Sequence, residues 1–351
     1  MRKKTMAPKK TTGADAGLQQ LKKDISSDAV GTCYLFHGEE DYLRDYYVTT
    51  IRKKLIPQGM EDFNLHVFQG KELDVHELGE AVDAFPMMCE RSLILVYDFD
   101  LYQNESRRDA LQEILSDLPE YVCLIFIFDQ LDFKTGGNTK LGKLVKKVAT
   151  AVNFQPQTQS DLNGWIRRRF RALGKEIDNS TAEYLTFLCG GLMTGLQSEI
   201  DKIASYAAGV TVEKSDVDAV ADPVLDAKVF QMTDAISNGN FRQSAEILSD
   251  LYLMNTEPIM ILAVLGRQMR QLWSARLALE NRMGQQELAE IWDMKSSWQS
   301  RKLLDSARHF NLHWCRRAVE LCAETDLAMK SSGLDNEELL TELLLRLANG
   351  G

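Results

Sequence analysis

Between residues 33 and 155, short apolar runs alternate with amphipathic stretches. The runs are Cys33–His37, Leu65–Phe68, Ser92–Tyr97, Val122–Phe128 and Ala151–Phe154, and two of them, LILVY and VCLIFIF, are apolar throughout. A strand with one wet face alternates apolar with polar positions, whereas a strand covered on both faces does not. The runs therefore predict buried strands. Helical periodicity fills the gaps at about 41–55, 73–84, 105–117 and 139–148. A β-α unit repeated four times and closed by a fifth strand predicts a mainly parallel α/β sheet.

After Pro156 the period becomes helical. Ser160 opens a helix through Trp165 and Ile166, and Ser180 with Glu183 has capping-box spacing ahead of Leu185 and Leu188. Gly190-Gly191 breaks that helix, and Leu192, Leu196, Ile200 and Ile203 form the apolar stripe of the next. Residues 213–221 add another, up to Asp222-Pro223. From Lys228 onward only helical periodicity is visible, with Pro258 suited to a first helical turn and Asp335 with Glu338 as a further capping pair. The expected organisation is a basic tail over 1–17, an α/β domain over 18–157, a small helical domain over 158–222 and an all-helical domain over 223–351.

Charge adds an asymmetry to this plan. The 351 residues carry a net charge of −10, yet Arg2, Lys3, Lys4, Lys9 and Lys10 all precede the first acid, Asp15, so the rest carries −15. Phosphate affinity comes from clustered Lys and Arg, so a body of this net charge is not expected to bind nucleic acid strongly by itself, and the tail reads as a disordered, solvated leader. No window approaches a membrane-spanning length of apolar residues, and no secretory core is evident, so a cytoplasmic protein is expected. The cysteines Cys33, Cys89, Cys123, Cys189, Cys315 and Cys322 are scattered, mostly in apolar runs and without a CxxC, and read as core thiols.

Candidate chemistry belongs at the carboxyl ends of the strands, where open α/β sheets bind ligands. The first strand-to-helix turn reads Phe36-His37-Gly38-Glu39-Glu40-Asp41. A phosphate-binding loop needs glycine amides, a lysine and a hydroxyl, and this turn has one glycine, no lysine and three acids. Nucleotide hydrolysis is therefore not expected. Asp129 ends the fourth run much as a metal-holding acid would, but without a phosphate loop it reads as a turn residue. His309 and His313 stand four apart, yet Asn311 between them reads as a helix cap and no third ligand is apparent. No metal or cofactor is expected. Arg167, Arg168, Arg169 and Arg171 form the densest basic patch, spread around more than one face of a helix and open to either a solvated or a phosphate-contacting role.

The segment Ala84-Phe85-Pro86-Met87-Met88-Cys89-Glu90-Arg91 joins a helix to the third strand. Its large apolar side chains either pack under the sheet edge or form an exposed, adaptable binding surface, for which methionine is suited.

Several segments in order give the chain a likeness to a known family. CYLFHGEEDYL (33–43), FPMMCERSLILV (85–96), LNGWIRRRFRALGKEID (162–178), GLMTGLQSEIDKIASY (191–206), VFQMTDAISNGNFRQSAEIL (229–248), EPIMILAVLGRQMRQLW (257–273) and TDLAMKSSGLDNEELLTELLLRL (325–347) together resemble the delta subunit of the bacterial DNA polymerase III clamp loader. The resemblance implies an AAA+-like parallel-sheet domain without a P-loop, a small helical lid and a C-terminal helical collar. It implies no intrinsic catalysis, the polymerase activity belonging to the holoenzyme.

In that family an apolar pair inserts into the sliding clamp, the beta subunit. The matching positions are Met87 and Met88, with Phe85 and Pro86 beside them, in place of the family's usual Leu or Phe followed by Phe. The implied partners are the clamp, the tau/gamma and delta prime subunits in a hetero-pentamer, and primed DNA through the assembly. The basic helix, or Lys330 in the last domain, is the candidate DNA or partner contact. The alternative is a non-catalytic scaffold joined to partners through its helical C-terminus, in which the 85–91 loop is core.

Overall fold

The computed structural model describes residues 13–349 apart from 72, 104, 295 and 296. The five basic residues of the tail lie outside the described residues. Two compact units are present, one up to residue 156 together with 192–194, the other over 157–191 and 195–351.

The first unit runs α1 (Gly13–Ser26), β1 (Cys33–His37), α2 (Asp41–Leu55), α3 (Glu61–Asn64), β2 (Leu65–Gln69), α4 (Val75–Asp83), β3 (Ser92–Tyr97), α5 (Glu105–Ser116), β4 (Val122–Ile127), α6 (Lys140–Val148) and β5 (Thr150–Asn153). The five strands form one parallel sheet in the order β2-β3-β4-β1-β5. All five apolar runs are strands, each within two residues of its expected ends.

The continuous apolar runs follow from burial on both faces. Cys33, Leu35, Ile94, Val96, Leu124 and Phe126 point into a core shared with Leu78, Leu111 and Leu141 of α4, α5 and α6. The alternate residues Tyr34, Phe36, Leu93, Leu95, Cys123 and Ile125 point into a second core with Leu21 of α1 and Ile51 of α2. Each such fully buried side chain contributes about 1.5–3 kcal/mol relative to exposure, so the two faces hold the sheet together.

Helix α1 was not expected, and its first residues fall within the predicted tail. It covers the edge strand β5 at very short range. A Cβ at Gly17 would lie 1.9 Å from the Ala151 carbonyl oxygen and 3.3 Å from the Val152 Cα, so only glycine lets the helix backbone approach so closely.

The second unit runs α7 (Gln159–Ala172), β6 (Glu176–Ile177), α8 (Asn179–Cys189), α9 (Met193–Tyr206), β7 (Thr211–Val212), α10 (Lys214–Val220), α11 (Leu225–Ser237), α12 (Phe241–Leu253), α13 (Pro258–Glu280), α14 (Gln285–Ile291), α15 (Ser297–Ala307), α16 (Leu312–Ser331) and α17 (Asn336–Ala348). The first two residues of α9, Met193 and Thr194, belong with the first unit. Thr158 caps α7 by accepting from the Asp161 N–H. The cap of α8 is Asp178, accepting from Thr181, two residues before the expected Ser180, because a carboxylate there reaches the free amides first.

Helix α13 is the axis of the helical core: Ile261, Leu262, Leu265, Met269, Leu272 and Ala275 pack with Ala318 and Leu321 of α16 and Leu340 and Leu343 of α17. Phe187 of α8, Phe230 of α11 and Trp298 of α15 form an aromatic cluster with ring centroids 4.4–5.9 Å apart. The expected collar segment, and the expected lid segment apart from residues 192–194, fall inside this unit. Among the described residues, no helix is long and apolar enough to cross a membrane.

Candidate functional site

The loop between α4 and β3 leaves its apolar side chains in solvent. Phe85 is 79% exposed, Met87 51% and Met88 82%, with Pro86 half-buried. The loop backbone, by contrast, is tied down. Asn64, fully buried at the end of α3, accepts from the Met87 N–H at 2.7 Å and donates to the Met87 carbonyl at 2.9 Å. The same amide nitrogen also donates to the Met60 carbonyl at 2.9 Å, fixing α3 and the loop to one side chain.

Farther along the loop, the Arg91 guanidinium donates to the carbonyls of Val30, Gly31 (2.9 Å) and Val122 (2.8 Å). It pins the start of β3 to the neighbouring chain segments. Phe85 leans on Tyr121, ring centroids 5.0 Å apart. Met88 takes a left-handed backbone (φ 56°), a conformation that costs a residue with a Cβ about 1–2 kcal/mol. The loop thus combines a held backbone, a strained tip and three exposed apolar side chains.

The carboxyl ends of the strands are closed by protein groups. Gly38 (φ 117°) turns tightly against β5, where a Cβ would sit 2.4 Å from the Phe154 carbonyl oxygen. The Glu40 N–H then donates to that same carbonyl at 3.0 Å, so this amide is turned to the sheet edge. The Glu40 carboxyl is buried, and burial pushes its pKa up to about 7, partly offset by the hydrogen bond from the Met193 N–H at 3.2 Å.

Asp129, at the end of β4, lies 2.6 Å from the buried guanidinium of Arg44, which also meets Asp41 at 2.9 Å. Asp98 (φ 52°) accepts from the amides of Asp129, Gln130 and Leu131 at 2.8–3.0 Å. Asp129 is thus an ion-pair partner in a turn, its charge offset by an Arg44 that it shares with Asp41 and Asp45. Among the described residues no group of three or more His, Cys, Asp or Glu side chains could hold a metal ion. Asn311 caps α16 by accepting from Trp314, which puts His309 in the preceding turn and His313 on the helix.

Residues 34–155 match the family model for the DNA polymerase III delta subunit, and residues 226–347 match the model for that subunit's C-terminal domain. The chain belongs to the DNA polymerase III delta subunit family. The Bacillus subtilis DNA polymerase III subunit delta is 26% identical over 335 residues, which is 93% of this chain and 95% of the relative. The Escherichia coli subunit is 20% identical over 315 residues, 89% of this chain and 90% of the relative. Among solved structures, the Bacillus subtilis DNA clamp loader delta protein superposes with a TM-score of 0.50 at 25% identity, over 95% of this chain and 99% of that one. Delta is a component of the polymerase III complex, and the AAA+-like architecture accords with the clamp-loader fold.

The basic candidates of this delta-family chain are distributed over two helices. On α7, Arg169 faces Asp201 at 3.3 Å and Arg167 faces Asn179 at 3.5 Å, whereas Arg168 and Arg171 are exposed. Lys330, on α16, is paired with Asp326 at 2.7 Å. Of the cysteines, Cys33, Cys123, Cys315 and Cys322 are buried, and burial pushes the Cys123 and Cys322 thiols up to about 12. Sequence reasoning did not find Asn64 or Arg44. The only signal for Asn64 was a polar residue immediately before an apolar run, and the spacing to its partner, 23 residues on, has no local pattern.

Proposed function

We propose that the chain acts as the clamp-binding subunit of the polymerase III clamp loader, inserting Met87 and Met88, with Phe85 and Pro86 beside them, into an apolar pocket of the sliding clamp and favouring the open ring. The single observation that carries this reading is the exposure of Phe85, Met87 and Met88 on a loop whose backbone is held by Asn64 and Arg91. The scaffold alternative calls for those methionines to be buried as core, and their exposure weighs against it.

The energetics suit a mechanical role. Burying a Met or Phe side chain gains about 1.5–3 kcal/mol, and fixing a methionine's rotamers takes back up to about 1.5–2 kcal/mol. Two thioethers therefore bind adaptably, and the held backbone limits what must be ordered on contact. A loader opens a ring only if its contact is stronger with the open state than with the closed one, so the binding energy acts as a bias between two ring conformations.

In this reading the chain performs no catalysis of its own, and ATP bound by tau/gamma subunits controls access to the loop. The helices from α11 onward join delta prime and tau/gamma in the hetero-pentamer. Arg168 and Arg171 are exposed, as is Lys330 beside its partner Asp326, and these three are better placed than the half-buried Arg167 and Arg169 to meet primed DNA. The work is done in the cytoplasm, at the replication fork.

The test is clamp release. With the cognate sliding clamp closed on nicked circular DNA, adding this chain without nucleotide should speed clamp dissociation severalfold. An unchanged dissociation rate at saturating protein would refute ring opening.

A further inference from the structure

Met88 is the most exposed large apolar side chain among the described residues, at 82%, and its neighbour Met87 is exposed as well. Met193, Met232 and Met269, by contrast, are buried. A thioether differs in one chemical respect from a leucine or phenylalanine that could make the same apolar contact: its sulfur is oxidised by peroxides to a sulfoxide, and exposure decides which sulfurs react. Two adjacent methionines in solvent on an apolar contact loop therefore put an oxidisable group at the contact itself.

The geometry separates that contact from the fold. Asn64 bonds both backbone groups of Met87, and Arg91 bonds the carbonyls of Gly31 and Val122, so no methionine side chain takes part in these bonds that hold the loop. An oxygen added to either sulfur leaves those anchors in place, whereas the same addition at Met232 or Met269 would put a polar group into the helical core. A sulfoxide entering an apolar pocket, in turn, is an acceptor that loses its water without gaining a donor. Met254 and Met260 are also exposed, at the end of α12 and the start of α13 in the other unit, where the Met254 sulfur accepts from the Lys228 Nζ at 2.7 Å. They serve as internal controls for oxidation away from the loop.

We propose that Met87 and Met88 are a reversible oxidation site: hydrogen peroxide converts their thioethers to sulfoxides and so abolishes the loop's apolar contact, and a thiol-dependent reductase restores it. This rests on the reading of the 85–91 loop as the clamp-binding segment. In the oxidation a sulfur lone pair attacks one peroxide oxygen, the O–O bond breaks as the S–O bond forms, and the second oxygen leaves as water with the proton of the first. In the reversal two thiols supply two electrons, become a disulfide, and the sulfoxide oxygen leaves as water. Cys89 is a separate group: it is half-buried, and its Sγ donates to the Arg91 carbonyl at 3.2 Å.

The test is affinity of the full chain for the cognate sliding clamp before and after hydrogen peroxide, with the oxygen located at each methionine by mass spectrometry and Tm recorded. Oxidation at Met87 and Met88 should weaken binding about tenfold or more with Tm unchanged. Methionine sulfoxide reductase with dithiothreitol should restore the affinity, and dithiothreitol alone, which reduces an oxidised Cys89 but not a sulfoxide, should not. Met87→Leu/Met88→Leu should bind before treatment and keep its affinity afterwards, although Met254 and Met260 oxidise. Unchanged binding with Met87 and Met88 oxidised, reduced sulfurs there while Met254 and Met260 carry oxygen, or an equal loss of affinity in the leucine variant would each overturn the proposal and leave the loop assignment standing. Should the leucine variant bind too weakly to compare, the reductase decides, and no recovery would overturn the proposal. If the untreated chain does not bind the clamp, the loop assignment fails and this inference fails with it.

Discussion

The Arg44 guanidinium lies 2.6 Å from the Asp129 carboxylate, joining the start of α2 to the end of β4 across the adjacent strands β1 and β4. Asp41 and Asp45 also face Arg44, at 2.9 and 3.6 Å, so one buried cation is shared by three carboxylates and offsets only part of their charge. Removing it leaves those acids facing each other. Arg44→Ala should cost about 2–3 kcal/mol, toward the low end for a buried cation because the carboxylates keep contact with water. Urea unfolding of the variant would measure this, and a change under about 0.5 kcal/mol, the scale of an ordinary surface substitution, would contradict the role given to Arg44.

Gly17 offers a test in which two effects oppose each other. Helix propensity alone favours alanine over glycine by about 1 kcal/mol. The packing of α1 against β5 acts the other way, since the added Cβ would meet the Ala151 carbonyl oxygen at 1.9 Å. Gly17→Ala should therefore be destabilising by at least about 2 kcal/mol, the scale of overpacking a tight contact. Hydrogen exchange should show α1 losing protection before the sheet. A Tm at or above that of the unaltered chain would mean that α1 does not pack as described.

Glu40 couples stability to pH. Its buried carboxyl, chiefly through desolvation, titrates near 7 in the folded chain against an ordinary value of 4.5. The folded state therefore holds the proton that the unfolded state releases. The associated stability is fully present below about pH 4.5 and is lost as pH rises through about 7, of order 3 kcal/mol at most. Glu40→Gln keeps an acceptor for the Met193 N–H and removes the titration. Between pH 5 and 8 the unaltered chain should lose stability relative to Glu40→Gln, and parallel stability-pH profiles would contradict the assignment.

The sheet was legible in the sequence because its physics is local: a strand buried on both faces, such as Val122–Ile127, is apolar at every position. Helix starts at Pro258 and Asp335 were legible for the same reason, since caps act within one turn. The pairs β6 and β7, two residues each, are too short to show any period. Helix α1 was obscured by Gly17, a poor helix former that is there for its lack of a side chain. For the candidate site, the apolar loop was visible as composition, but whether Met87 and Met88 are exposed depends on Asn64 and Arg91, which are linked to their partners across 23 to 61 residues. Contacts of that range leave no spacing to read.

The most direct measurement is the affinity of the purified chain for its cognate sliding clamp, compared with a Met87→Ala/Met88→Ala variant of unchanged Tm. Loss of two anchors of this kind should weaken binding more than tenfold. Equal affinity of the two proteins, or no binding by the unaltered chain, would contradict the clamp-binding role of the loop.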